Sequence, residues 1–116
     1  MHAGADGAFV VSGIGSLRQA AIRFAGRTHA QIVEGPLEIV SLAGTLTSDG
    51  AHLHASVSDG EGRVVGGHLG RGCIVRTTAE VLIAPVAGFR LTREMDAATG
   101  YAELVVRPRD DNDAEA

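Results

Sequence analysis

The stretch that decides the fold runs from residue 51 to residue 69 and reads AHLHASVSDGEGRVVGGHL. Its first eight residues alternate, with Leu53, Ala55 and Val57 on one side and histidines and serines on the other. Alternate residues of a strand share a face, so this pattern predicts a strand with one apolar face. The Asp-Gly pair at residues 59–60 predicts a turn, and the apolar run after it predicts an antiparallel return strand.

The register of this hairpin predicts where its three histidines lie. If Ser58 pairs with Val64, His54 lies directly opposite His68, and His52 becomes a diagonal neighbour of His68. Directly opposed Cβ atoms are about 5 Å apart and diagonal ones about 7–8 Å apart, so the three imidazoles converge. A slip of one residue would move His68 to the apolar face and destroy the cluster.

Three imidazoles form a sufficient protein ligand set for a zinc ion, with a fourth position left for water or substrate. We therefore expect His52, His54 and His68 to bind a divalent metal. Zinc is the first candidate, although neutral imidazole also suits nickel, copper and iron. The alternative is a polar, solvated strand face without a metal. Gly66 and Gly67 would let a backbone or a ligand approach His68 closely.

Outward from the hairpin, short segments rich in Val, Ile, Leu and Thr alternate with turns that use many of the 16 glycines. The predicted strands are residues 8–14, 37–47, 51–58, 62–69, 73–83, 88–95 and 101–107. Residues 17–25 fit a helix or a strand, and the neighbouring strands favour a strand. Residues 13–18 begin like a dinucleotide-binding fingerprint but lack its third glycine, so a tight turn is the favoured interpretation.

Length and composition predict one domain, residues 1–107, followed by a disordered acidic tail over residues 108–116. No apolar stretch approaches the roughly 20 residues of a membrane span, and the opening residues do not resemble a signal peptide. The expected location is the cytoplasm. Cys73 is the only cysteine, and its apolar neighbours favour a small core residue over a catalytic thiol.

The charge pattern disfavours nucleic-acid binding. The formal net charge is −4, and the ten basic residues, all arginine, are scattered rather than clustered on one segment. A chain without lysine cannot form a Gly-Lys-Ser/Thr phosphate loop, and no serine-hydrolase elbow is present. Glu38 and Glu80 lie within apolar strands and are interpreted as exposed or interface residues. His2 and His29 are interpreted as surface residues.

These segments resemble the plants-and-prokaryotes conserved (PPC) domain family. The resemblance rests on GPLEIVSLAGTL at residues 35–46, HLH at 52–54, GGHL at 66–69 and SGIGSL at 12–17, and it covers residues 9–106. It implies an α+β domain with a largely antiparallel sheet and few helices, assembled as a homotrimer. Family members usually carry a further strand and helix before the segment that matches residue 9, where only eight residues stand here.

The same resemblance implies a distant fold relation to acetolactate decarboxylase, whose zinc is held by a His-x-His pair and a later histidine. By position, the ligands here would be His52, His54 and His68, while the other active-site residues of the decarboxylase match no position. Plant members carry an AT-hook, an Arg-Gly-Arg-Pro element that enters the minor groove of DNA, which this sequence lacks. In plants the domain serves assembly and partner contact, including the segment that resembles residues 35–39.

Three functions are therefore expected, in this order. The first is a trimeric, metal-binding module for oligomerisation and contact with partner proteins in an unknown pathway. The second is a metal-dependent enzyme acting on a small carbonyl substrate, in the manner of a decarboxylase. The third is a DNA-associated regulator, which the family label suggests and the acidic charge disfavours.

Overall fold

The computed structural model describes residues 5–110, and this part of the chain is built from strands. Their bounds are β1 (Ala5–Arg23), β2 (Gln31–Thr47), β3 (Gly50–Ser58), β4 (Val64–Leu69), β5 (Ile74–Ala87), β6 (Phe89–Met95) and β7 (Ala102–Pro108). No helix occurs within residues 5–110. The expected α+β class is therefore wrong, and the class is β, with a mostly antiparallel sheet as predicted.

The segment over residues 17–25, whose pattern also fitted a helix, lies mostly within the sheet. Residues 17–23 belong to β1, which pairs with β2 along one edge and with β5 and then β4 along the other. With both edges hydrogen-bonded, β1 is a central strand, and Ala20 and Ile22 are fully buried. The strand interpretation of this segment is confirmed.

The turn predicted over residues 13–18 is wrong, because β1 continues through it. The glycines there allow neighbouring strands to pack closely against β1. A Cβ built on Gly15 would lie 2.5 Å from the carbonyl oxygen of Thr78 on β5, and one on Gly13 would lie 2.8 Å from the Leu42 side chain. Gly-x-Gly in this chain therefore marks tight packing within the sheet.

Four antiparallel pairings, β1–β2, β2–β3, β3–β4 and β4–β1, close a circuit of strands. The main core cluster comprises Leu17, Ala20, Ile22, Leu37 and Val57. The other predicted strands match the observed ones to within a few residues, except that β2 begins six residues earlier than expected. The circuit holds β3 and β4, and thus the histidine hairpin, beside the end of β1.

The β6–β7 hairpin joins the rest of the sheet through a parallel contact between Asp6 and Arg90. Leu91 is fully buried, and it fits only because Gly7 has no side chain: a Cβ there would lie 2.6 Å from the Leu91 Cβ. The hairpin also reaches the β2–β3 turn, where the backbone N–H of Arg93 donates to Asp49 Oδ2 at 2.8 Å. Leu91 thus anchors a hairpin that extends towards β3.

Within residues 5–110, strand β5 pairs only with β1, and residues 74–85 are exposed. The described molecule is a slab with extents of 52 × 33 × 18 Å. Its radius of gyration is 16.0 Å, against about 13 Å for a compact chain of this length. A broad apolar surface on β1 and β5 therefore remains uncovered; it comprises Val11, Ile14, Val75, Val81, Leu82 and Ile83.

Several smaller predictions concern single residues. Cys73 packs against the core cluster as predicted, half-buried, with its Sγ 3.3 Å from the backbone N–H of Ala21. Glu38, Glu80 and His29 are exposed, as interpreted from the sequence. His2 and residues 111–116 of the predicted tail lie outside the described residues, while residue 108 is the last of β7. Residues 5–110 include no helix that could cross a membrane.

Candidate metal centre

The β3–β4 hairpin has the even register that the histidine cluster requires. Ser58 pairs with Val64 and His54 pairs with His68, which confirms the predicted register. The turn between the strands is held by Asp59, whose Oδ1 accepts two backbone N–H groups, from Glu61 and Arg63, each at 2.9 Å. These backbone hydrogen bonds, that from Arg63 foremost, lower the pKa of the Asp59 carboxyl. The turn is therefore closed by an ionised aspartate.

The hairpin separates its side chains as the alternation predicted. Ala55 and Val57 are buried in the core, whereas His54 is exposed and His52 and His68 are half-buried on the opposite face. The ring centroids of the three histidines are 4.9–5.5 Å apart. The structure thus brings together the three residues that the sequence singled out.

The three imidazoles fit the demands of a metal ion. One nitrogen from each ring lies within 4.8 Å of the other two. Two ligands of a tetrahedral zinc ion at about 2.05 Å lie about 3.3 Å apart, and the Nε2 atoms of His52 and His54 are separated by 3.2 Å. His68 Nδ1 is buried and has no hydrogen-bond partner among the described residues. A buried nitrogen lone pair or N–H without a partner is costly, so the described residues do not fully satisfy the His68 ring.

Burial also sets the protonation of the cluster. Desolvation lowers the pKa of His52, and the positive charge of Arg93 lowers it further, followed by smaller effects of the other two histidines and Arg23. Desolvation likewise lowers the pKa of His68, with Arg23 and His54 acting in the same direction. Both rings are therefore neutral at pH 7, and neutral imidazole is the form that ligates a metal.

Gly66 and Gly67 explain how β4 fits between its neighbours. A Cβ on Gly66 would lie 2.6 Å from the Ala55 carbonyl oxygen on β3, and one on Gly67 would lie 2.6 Å from the Arg23 carbonyl oxygen on β1. The close approach expected at these glycines is that of neighbouring backbones. It places His68 between two partners, with His54 on β3 and Arg23 on β1.

Two arginines near the cluster were missed by the sequence analysis. Arg23 is the β1 partner of His68, and Arg93 comes from β6. Arg93 Nη2 donates to Thr45 Oγ1 at 2.6 Å, and Thr45 is the β2 partner of His52. Arg23 could have been found only from the β1–β4 pairing, and no local pattern in β6 indicates the position of Arg93.

Comparison with known proteins identifies the family. The model of the Plants and Prokaryotes Conserved (PCC) domain, the PPC family of the sequence analysis, matches residues 1–87. This chain belongs to that family. The match includes all three histidines and ends before β6, so the hairpin that carries Arg93 lies outside it.

The PPC chain also resembles a segment of a longer protein and several solved structures. It is 46% identical over 100 residues to bifunctional protein GlmU from Synechococcus sp. (strain JA-2-3B'a(2-13)); the match covers 86% of this chain but spans only 16% of that protein. A hypothetical protein from Salmonella cholerae-suis is 38% identical with a TM-score of 0.88, covering 92% of this chain and 78% of that chain.

A metal-containing protein from Archaeoglobus fulgidus is 29% identical with a TM-score of 0.68, and the similarity covers 88% of this chain and 76% of that one. A Ralstonia eutropha JMP134 protein, provisionally described as DNA-binding, is 23% identical with a TM-score of 0.76, covering 89% of this chain and 75% of that one. At 23% identity the likeness shows a shared fold.

Proposed function

We propose that this PPC protein is a homotrimeric module for oligomerisation and partner binding that holds one divalent metal ion through His52, His54 and His68. The observation that carries the metal site is the convergence of three imidazole nitrogens within 4.8 Å of one another. The site is built on a hairpin with a defined register, and this register alone brings the three ligands together.

Three further observations support a metal, with zinc as the first candidate. The donor set consists of imidazoles alone, which suits zinc among the common divalent ions. His68 Nδ1 is buried and finds no partner within residues 5–110, so the His68 ring is not fully satisfied by the protein alone. The similar Archaeoglobus fulgidus protein is described as metal-containing.

The homotrimer is supported by the shape of the chain. Strand β5 leaves a long apolar edge and face exposed, including Leu82 at 62% and Val75 at 49% of their full exposure. Natural proteins cover such edges, and a second and third copy of the same chain would cover this one. The similarity to one segment of the longer GlmU protein supports the role of a module.

A metal-dependent enzyme acting on a small carbonyl substrate is the second candidate. Three protein ligands leave an open coordination position, and His54 is exposed at the surface of the cluster. A bound divalent ion would supply a Lewis acid that polarises a carbonyl oxygen or activates water. The DNA-associated function is not proposed, because a net charge of −4 opposes phosphate binding.

Calorimetric titration of Zn²⁺ into chelator-treated, untagged protein tests the proposal. We expect about one zinc per chain, and we expect His54→Ala to weaken binding by on the order of tenfold or more because one of three ligands is lost. His29→Ala is the matched control, since His29 is an exposed histidine in the loop between β1 and β2. Equal zinc binding by the wild type and His54→Ala would contradict the proposed site.

A further inference from the structure

Arg93 places an incompletely satisfied cation beside the histidine cluster. Its Nη2 donates to Thr45 Oγ1 at 2.6 Å, and Thr45 is buried and directly opposite His52 across the β2–β3 pair. Opposed Cβ atoms in such a pair are about 5 Å apart, so the guanidinium reaches the neighbourhood of the His52 ring. Arg93 Nε is buried and has no hydrogen-bond acceptor in the described part of the chain.

The charges around the cluster are one-sided. Arg93 hydrogen-bonds to Thr45, the β2 partner of His52, and Arg23 is the β1 partner of His68. The carboxylate of Asp49, in the β2–β3 turn, accepts a hydrogen bond from the backbone N–H of Arg93 and not from its guanidinium. A divalent metal on three neutral imidazoles would add two more positive charges. Buried or partly buried cations without a counter-ion are costly, so the surroundings of the metal favour an anion.

We propose that Arg93 binds a small oxyanion, a carboxylate in the first instance, which would take the open fourth position of a metal held by the three histidines. This inference rests on the proposed metal at His52, His54 and His68, and it names the ligand class of that site. A guanidinium has five N–H donors, so Arg93 can donate to Thr45 and to an oxyanion at the same time. Arg23 adds a second positive charge on the His68 side.

Cobalt-substituted protein provides the test, because a change of the fourth ligand alters the visible absorption of Co²⁺. The full chain is first loaded with Co²⁺, and the bound metal is measured per chain. Acetate and, separately, inorganic phosphate are then titrated at constant pH and ionic strength. We expect saturable binding of acetate to the wild type, and Arg93→Gln should weaken it by on the order of tenfold to a hundredfold, as for the loss of a hydrogen bond to a charged group.

Two further variants separate charge, geometry and folding. Arg93→Lys keeps the positive charge but lacks the fork, so we expect intermediate acetate affinity. Arg18→Gln is the matched control, because Arg18 is an exposed arginine on β1 and its loss changes the net charge equally. Circular dichroism checks that each variant is folded. If Arg93→Gln does not fold, the acetate affinities of the wild type and Arg93→Lys are compared instead, and equal affinities overturn the role of Arg93.

The outcomes distinguish the two proposals. Wild-type protein that binds no cobalt removes the metal site and the oxyanion inference together. Cobalt retained by folded Arg93→Gln, with acetate affinity equal to that of the wild type and Arg18→Gln, overturns the inference alone. Tighter binding of phosphate than of acetate, lost in Arg93→Gln, would replace the carboxylate with a phosphate group and keep the role of Arg93.

Discussion

At the scale of single residues, the cluster is arranged so that two of its histidines are neutral. His52 and His68 are half-buried, and burial is the main cause of their lowered pKa values. Their folded-state pKa values therefore lie below the ordinary value of about 6.5. In the pH range below 6.5, the unfolded chain binds more protons at these residues than the folded chain does. Acid therefore opposes both folding and metal binding.

This protonation difference predicts a pH dependence of the metal-free protein. Its free energy of unfolding should not change on account of these residues above about pH 6.5. It should fall as the pH drops from 6.5 through their folded pKa values, with a slope of at most about 1.4 kcal/mol per pH unit and residue. Chemical denaturation between pH 5 and pH 8 measures this slope.

The double variant His52→Gln/His68→Gln tests the assignment, since glutamine does not titrate. We expect it to show a shallower loss of stability below pH 6.5 than the wild type. His29→Gln, which changes an exposed histidine away from the cluster, should retain the wild-type slope. A double variant with the full wild-type slope would show that the acid sensitivity comes from other groups.

At the scale of the strands, the site depends on how closely β4 approaches β1 and β3. Gly67 has no room for a Cβ, because the Arg23 carbonyl oxygen and Ile22 Cγ2 would lie 2.6 and 3.1 Å away. Gly60, in the turn of the same hairpin, has no such neighbours within 4 Å in the described structure. The two glycines therefore offer a matched pair of substitutions.

We expect Gly67→Ala to lower the free energy of unfolding by about 1–3 kcal/mol, because the added methyl group pushes β4 away from β1. The shift also moves His68, so zinc affinity should fall with stability. Gly60→Ala should change stability by no more than about 0.5 kcal/mol and leave zinc binding intact. Chemical denaturation and calorimetry measure both effects. Equal behaviour of the two variants would contradict the packing described for β4.

Some of the strands and their pairing could be predicted from the sequence, and some could not. The hairpin and its register follow from local information, because alternation, turn and return strand all lie within residues 51–69. The continuity of β1 through Gly15 could not be predicted, because it depends on the approach of β5, far along the chain. Arg93 was missed for the same reason, since its position depends on the packing of Leu91 against Gly7. The alternation of residues along a strand indicates which of them share a face, but not which distant strand packs against that face.

At the scale of the whole molecule, a slab 18 Å thick cannot bury both faces of its sheet. The exposed apolar surface of β1 and β5 is the part that self-association would cover. With three Phe, one Tyr and no Trp, the chain also has few large side chains with which to build a core, which favours self-association. The expected number of chains in the assembly, three, rests on the family resemblance alone.

The proposed assembly predicts the effect of a charge on this surface. Leu82→Glu places a carboxylate where Leu82 is 62% exposed in the single chain, and burial of that charge between copies is unfavourable. We expect light scattering to give the mass of three chains for the wild type and of one chain for this variant. Met95→Glu, at an exposed residue at the end of β6, should remain trimeric. A wild-type monomer would contradict the assembly.

The central claim is that the three histidines of the β3–β4 hairpin bind a metal, and elemental analysis by mass spectrometry tests it most directly. Untagged wild-type protein is compared with the variant His52→Ala/His54→Ala/His68→Ala after identical purification. We expect about one zinc or other divalent transition-metal ion per wild-type chain and essentially none in the variant. Wild-type protein without metal, or equal metal in both proteins, would contradict the claim.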